Sequence, residues 1–128
     1  MDEGGSYEIS VRTVFAASHA LRLANGETEP IHGHNWETVV TVSAGELDRM
    51  QAVMDFHDLE AILSGVLQPW QNRHLNDVAP FAAGEINPTA ERVAWWISRE
   101  VMASLPEGVS LASVCVGEAP NCTAIYRP

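Results

Sequence analysis

Lysine is missing from this chain altogether: its positive charge rests on seven arginines against seventeen acids, a formal net charge of −10. That balance offers no basic footprint to displace phosphate counterions, so it disfavours nucleic acid as a partner and equally disfavours an anionic membrane surface. No apolar run approaches the roughly 20 residues of a membrane span. The start, Met1-Asp2-Glu3-Gly4-Gly5, is acidic and has no basic region leading into an apolar stretch. This argues against a signal peptide and for a cytoplasmic protein. The two cysteines, Cys115 and Cys122, make neither a CxxC pair nor a disulfide framework, which fits a reducing compartment. Asn121-Cys122-Thr123 matches a glycosylation sequon, but without export it carries no meaning.

What the chain does have is enough apolar content, 46 %, for one core over its 128 residues, so residues 1–128 read as a single domain. Residues 7–12 alternate apolar and polar and predict a strand; residues 37–43 are β-branched and predict a second. Asp55 opens a helix with Leu59, Ile62, Leu63, Val66 and Leu67 on one face, and Pro69 stops it. A polar loop covers about 71–86. Asn87 as cap with Pro88 at the first helical position predicts a second helix, striped by Val93, Trp96, Ile97 and Val101 and ended by Pro106-Glu107-Gly108. Residues 110–118 and 123–126 close the chain as two strands around Ala119-Pro120-Asn121. The order β-β-α-α-β-β predicts an α+β fold, a four-stranded antiparallel sheet with two helices on one face. Its two edges would be bare. Pairing them with other copies would close a barrel, so a homo-oligomer is expected, and the acidity reads as solubility of that assembly.

The sharpest local pattern is His32-Gly33-His34. On an extended segment residues i and i+2 point the same way, so both imidazoles can grip one ion, and Gly33 admits close approach. A catalytic Zn²⁺ takes three protein ligands and keeps a position open. His19, at the end of the first strand and beside its hairpin partner, is the best third ligand; His57 and His74 fall on the helix side and in the long loop. HxH is common on its own, and three imidazoles suit Fe²⁺ or Ni²⁺ as well as Zn²⁺.

The words around these histidines occur in a recognisable order: Phe15-Ala16-Ala17-Ser18-His19, His32-Gly33-His34-Asn35, Asp55-Phe56, Leu75-Asn76-Asp77, Asn87-Pro88-Thr89-Ala90-Glu91, and Glu118. The chain resembles the 6-pyruvoyl-tetrahydropterin synthase and 6-carboxytetrahydropterin synthase family over nearly its whole length. The resemblance implies the tunnelling fold, whose trimers close barrels that stack in pairs into hexamers. It implies Zn²⁺ on His19, His32 and His34, polarising the side-chain oxygens of a dihydropterin triphosphate. It implies Glu118 as the anchor of the pterin, because a carboxylate accepts two parallel hydrogen bonds from the ring's amino group and adjacent N–H, and Thr89 as a further substrate contact.

Two positions depart from that family. The usual cysteine base, four residues before HGH, is Thr28 here, whose hydroxyl is far too weak an acid to replace a thiolate. Glu29-Pro30-Ile31-His32 instead resembles a variant with glutamate three residues before HGH. That variant cleaves the side chain of dihydroneopterin triphosphate to 6-hydroxymethyl-dihydropterin. Glu29 would then be the base, with Glu27 its rival and a candidate substrate contact. The usual Asp-His proton relay is replaced by Gln71-Asn72, neither of which shuttles protons; His74 could substitute only through a rearranged loop. Side-chain cleavage needs less relay than synthase chemistry, which favours the glutamate-variant activity. The alternatives are a 6-pyruvoyl- or 6-carboxy-tetrahydropterin synthase using His74 or Cys122, a non-catalytic pterin or purine binder, and a metal-free scaffold. Cys122 reads as a small, buried, inert residue. Arg22 and Arg73 are the candidates to meet phosphate.

Overall fold

The computed structural model describes residues 3–128; Met1 and Asp2, and with them part of the acidic start, lie outside the described residues. Strands β1 (Tyr7–His19) and β2 (His32–Ala44) form one long antiparallel hairpin in unbroken register, from Tyr7 opposite Ala44 to His19 opposite His32. Both run well beyond the predicted segments. Alternation continues through Phe15, Ala17 and His19 on one strand and Trp36, His34 and His32 on the other. Alanine, glycine and histidine have little strand propensity of their own, so cross-strand pairing fixes an extension that the sequence implied only by placing His19 at a strand end and His32 and His34 on an extended segment.

After β2, helix α1 (Phe56–Leu67) begins where Asp55 accepts a bond from the His57 N–H at 2.7 Å, and it buries Leu59, Leu63 and Leu67. It runs into a 3₁₀ turn at Gln68–Trp70 that has Pro69 as its second residue. The segment expected to be a loop contains a two-residue strand, β3 (Arg73–His74), parallel to β1 through Ala17–Arg73 and Ser18–His74, and a 3₁₀ turn at Leu75–Asp77. Helix α2 (Ala90–Met102) starts later than expected: Thr89, not Asn87, is its cap, with the hydroxyl accepting from the Arg92 N–H at 3.1 Å. The Asn87 side chain is engaged elsewhere. The helix ends at Met102, ahead of Pro106. Strands β4 (Ser110–Ala119) and β5 (Cys122–Tyr126) close the sheet.

The sheet order is β3-β1-β2-β4-β5, five strands rather than the four expected. The extra strand is too short and polar to show an apolar period. Helix α1 packs on β1 and α2 on β4 and β5, so both cover one face. The core lies between them. Phe15 stacks on Trp36 at 5.8 Å, and Trp70 joins Phe15 to Phe81 at 5.7 Å each. The buried indoles keep their N–H groups satisfied, Trp36 by the Ala17 carbonyl at 3.1 Å and Trp70 by the Ala79 carbonyl at 3.0 Å. The other face carries Ser10, Arg12, Val14, Ala16 and Ser18 from β1, and among the described residues no helix covers it. At the edges, β3 shields only Ala17 and Ser18 of β1, and β5 has one neighbour. Long stretches of edge are thus left unpaired, as the sequence led us to expect.

Candidate metal centre and active site

The long hairpin sets the site. His19 and His32 are directly opposite each other at its end, and His34 lies one pair further in, opposite Ala17. Partners across a ladder and residues two apart share a face, so all three imidazoles project to the helix side. Trp36 forms their floor, with ring centroids 4.9 Å from His19 and 5.3 Å from His34. The three ligand nitrogens lie within 4.8 Å of one another.

Their hydrogen bonds decide what they can hold. The Nδ1–H of His19 donates to the Pro88 carbonyl at 2.7 Å, and that of His32 to the Pro30 carbonyl at 2.9 Å. A carbonyl only accepts, so each neutral ring keeps its Nε2 as a bare lone pair. Those two Nε2 atoms are 3.1 Å apart. Two lone pairs at that distance repel unless a cation lies between them, and two nitrogens bound at about 2.0–2.1 Å on a tetrahedral ion sit about 3.3 Å apart. The third ring makes the same demand: His34 Nε2 is buried with no hydrogen-bond partner. Burial, above all, pushes the His19 imidazole below its ordinary value; its neighbours His32 and His34 add to that, and the bond to Pro88 and the charge of Glu118 partly offset it. Neutral imidazole is the ligating form. The donor set therefore fits a divalent metal ion.

Two carboxylates flank the rings. Glu118 Oε1 is 3.6 Å from His19 Nε2, and Glu29 Oε1 is 3.7 Å from His32 Nε2. Glu29 is held there by the Leu21 N–H, which donates to the same oxygen at 3.0 Å. The structure thus gathers His19, His32, His34, Glu29 and Glu118 into one cluster at the end of the sheet. A cavity of about 600 Å³ lies beside it, lined by Gly33, His34, Asn35, Glu37, Glu118 and Pro120 but not by His19, His32 or Glu29.

The other sequence candidates are placed differently. Glu27 is exposed in the hairpin loop, with its N–H on Asn25 Oδ1 and its carbonyl on the Leu23 N–H. The Thr89 hydroxyl is engaged as the α2 cap. His74 Nδ1 lies 2.9 Å from Ser18 Oγ. Ser18 and His19 are adjacent on a strand and point to opposite faces, so His74 sits across the sheet from the imidazole cluster. Gln71 and Asn72, at the expected relay position, hold the backbone of Ala16: the Gln71 amide oxygen accepts from its N–H at 3.2 Å, and the Asn72 N–H donates to its carbonyl at 2.6 Å. Arg73 lines a second cavity of about 500 Å³ with Ser18, His34 and His74. Cys122 is exposed rather than buried, because it starts an edge strand.

Two residues beside the site have no site role assigned from sequence, Asn87 reading there only as a helix cap. Asn76 bonds both the N–H and the carbonyl of Ala20, at 2.9 and 2.8 Å; Asn87 does the same for Arg22, at 2.9 Å each. Asparagine before a proline or after a leucine reads as turn or cap chemistry. Nothing local points to a partner 56 or 65 residues away.

A profile of the family described as 6-pyruvoyl tetrahydropterin synthase matches residues 8–128. The chain is 34 % identical over 110 residues to a dihydroneopterin monophosphate aldolase of Pyrococcus furiosus, covering 86 % of this chain and 88 % of that one. It is 33 % identical over 134 residues to the human 6-pyruvoyl tetrahydrobiopterin synthase, covering 94 % and 90 %. The fold matches the structure of the Caenorhabditis elegans 6-pyruvoyl tetrahydropterin synthase with a TM-score of 0.78 over 96 % of each chain, at 24 % identity.

Proposed function

The chain belongs to the 6-pyruvoyl tetrahydropterin synthase family of pterin-biosynthesis lyases, and on that premise we propose that it cleaves the side chain of 7,8-dihydroneopterin triphosphate, or a related phosphate ester, to 6-hydroxymethyl-dihydropterin. The observation that carries this reading is Glu29, a carboxylate pinned by the Leu21 N–H and 3.7 Å from the His32 Nε2. That proximity supports Glu29 as the base toward a ligand whose side chain reaches the imidazole cluster.

In this reading Glu29 takes the proton from the hydroxyl on the second side-chain carbon. That carbon becomes a carbonyl, the bond between the first and second carbons breaks, and its electron pair passes into the conjugated ring imine. A proton returns to the first carbon, leaving the hydroxymethyl group; the other product is a phosphorylated glycolaldehyde. A Zn²⁺ held by His19, His32 and His34 would act as a Lewis acid toward the side-chain oxygens. The Pro88 and Pro30 carbonyls keep two of those rings in the ligating tautomer. Glu118 would hold the pterin through two parallel hydrogen bonds. Support against the synthase reactions comes from the relay position, where two amides stand, the Gln71 side chain bonded to the Ala16 N–H, and from His74, which is bonded to Ser18 across the sheet. We further propose a cytoplasmic homo-oligomer, a trimer or hexamer in which the unpaired edges of β1 and β5 meet those of other copies.

The test is to incubate metal-loaded protein with dihydroneopterin triphosphate and monophosphate and identify products by mass. The expected pair is 6-hydroxymethyl-dihydropterin and a glycolaldehyde phosphate. A 6-pyruvoyl- or 6-carboxy-tetrahydropterin product, or no turnover of either ester, would overturn the reading.

A further inference from the structure

The short segment 20–22, which joins β1 to the loop bearing Glu29, is hydrogen-bonded along both of its edges. Along an extended chain the backbone groups of alternate residues face opposite edges. Leu21 faces Glu29: its N–H donates to Glu29 Oε1 and its carbonyl accepts from the Glu29 N–H, both at 3.0 Å. Ala20 and Arg22 face the other way and meet the side-chain amides of Asn76 and Asn87, each giving one donor and one acceptor. A primary amide presents the same donor–acceptor pair as a peptide. The two asparagines therefore act as two rungs of a strand that is not there. The second rung is tied to the metal cluster as well, since the carbonyl after Asn87 belongs to Pro88 and receives the His19 Nδ1–H at 2.7 Å.

We propose that Asn76 and Asn87 are positioning residues for the Glu29 carboxylate. They hold Ala20 and Arg22 so that the Leu21 N–H fixes Glu29 beside the imidazoles. Neither side chain makes a hydrogen bond to Glu29 or to an imidazole; both act through Leu21. This rests on Glu29 being the base. The bonds argue for position rather than for loop stability alone. Ala20 is buried and Arg22 half-buried, so their backbone groups need protein partners, and each residue is bonded twice by one rigid amide. An amide that closes two bonds on one peptide sets distance and direction together, as a base acting on a single proton requires. A displacement near 1 Å at a reacting group is worth about 100-fold in rate.

The test is a double-mutant cycle. Asn76→Ala and Asn87→Ala are each expected to lower kcat by about 10–100-fold, with KM and metal content per protomer little changed. In a Glu29→Gln background the same substitutions should lower the residual rate hardly at all, because the group they position is already silent. Equal fold losses in both backgrounds, or a fall in metal content that parallels the fall in rate, would overturn the proposal. Asn76→Asp and Asn87→Asp keep shape and acceptor but lose the donor; they serve where an alanine variant fails to fold, and are expected to fall between. Hydrogen exchange gives a readout independent of turnover. The Leu21 amide should exchange faster in Asn76→Asp and Asn87→Asp than in the parent, although neither residue touches it. Unchanged Leu21 exchange would sink the proposal even if the parent proves active. A parent protein that converts no dihydropterin but shows the expected exchange would retire Glu29 as the base while leaving the clamp standing.

Discussion

The β1–β2 hairpin has a connection at each end, and the two are built on opposite plans. The segment 45–55, after β2, closes on itself. Asp48 accepts from the Met50 and Ala52 N–H groups at 2.9 and 3.0 Å, its own N–H donates to the Ala52 carbonyl at 2.8 Å, and Asp55 caps the next helix. Every partner is within four residues. The segment 20–31 has internal bonds as well, such as Leu23 with Glu27, but it is also held from afar by Asn76 and Asn87, 56 and 65 residues away from the groups they hold. A turn whose hydrogen bonds are all local can lose one at its exposed residues with little consequence elsewhere, although Val53 and Met54 of this segment belong to the core. A turn closed by distant elements ties the geometry of its side chains to the packing of the whole domain, and the candidate site stands on that one.

If this contrast is right, substitutions at the remote-closed end should act on chemistry and those at the self-closed end on local stability only. The largest effect is expected from His34→Ala, which removes the imidazole whose Nε2 has no protein partner. Metal content by elemental analysis should fall to near zero and activity with it, while circular dichroism stays native. Retained metal would mean that the other two rings and a carboxylate suffice. Glu29→Gln should follow, with kcat down at least about 100-fold and metal content intact; a variant near parental activity would pass the base to another group.

A smaller effect concerns acid. Burial holds the folded-state pKa of His19 below its ordinary 6.5, so the unfolded chain binds this proton more readily. Stability from this group is complete above about pH 6.5 and is lost as the pH falls through the lowered folded value. The melting midpoint of metal-stripped protein should therefore drop between pH 7 and pH 5, and His19→Gln should flatten that slope. An unchanged slope would assign the acid sensitivity to other groups. At the self-closed end, Asp48→Ala loses two exposed bonds and should cost about 1 kcal/mol with kcat and KM unchanged; a loss of activity would break the comparison. The least is expected from Arg12→Ala. It breaks the exposed 2.7 Å pair with Glu37 on the uncovered face, and the melting temperature should not move.

The legible parts of this molecule are those carried by local pattern. The alternation of β1, the stripe of α1 and the HGH spacing each need only a few neighbouring residues to be read, and the structure bears out two helices on one face of a sheet. What escaped reading depended on partners. The outer halves of β1 and β2 are strand only because Ala17 faces His34 and His19 faces His32. β3 is strand only because it meets Ala17 and Ser18. Asn87 looked like a helix cap until Arg22 claimed its amide, which left capping to Thr89.

Taken alone, the amino-acid sequence determined the order of the two helices and four main strands, the apolar faces, the three candidate ligands and the acidic net charge, because these follow from residue chemistry at short spacing. The tertiary structure decided which nitrogen of His19 and of His32 is free, which acid stands beside the rings, and that His74 stands across the sheet. Those outcomes turn on which distant carbonyl, amide or strand comes within hydrogen-bond reach, and the folded chain sets that reach to tenths of an ångström while sequence spacing leaves it open.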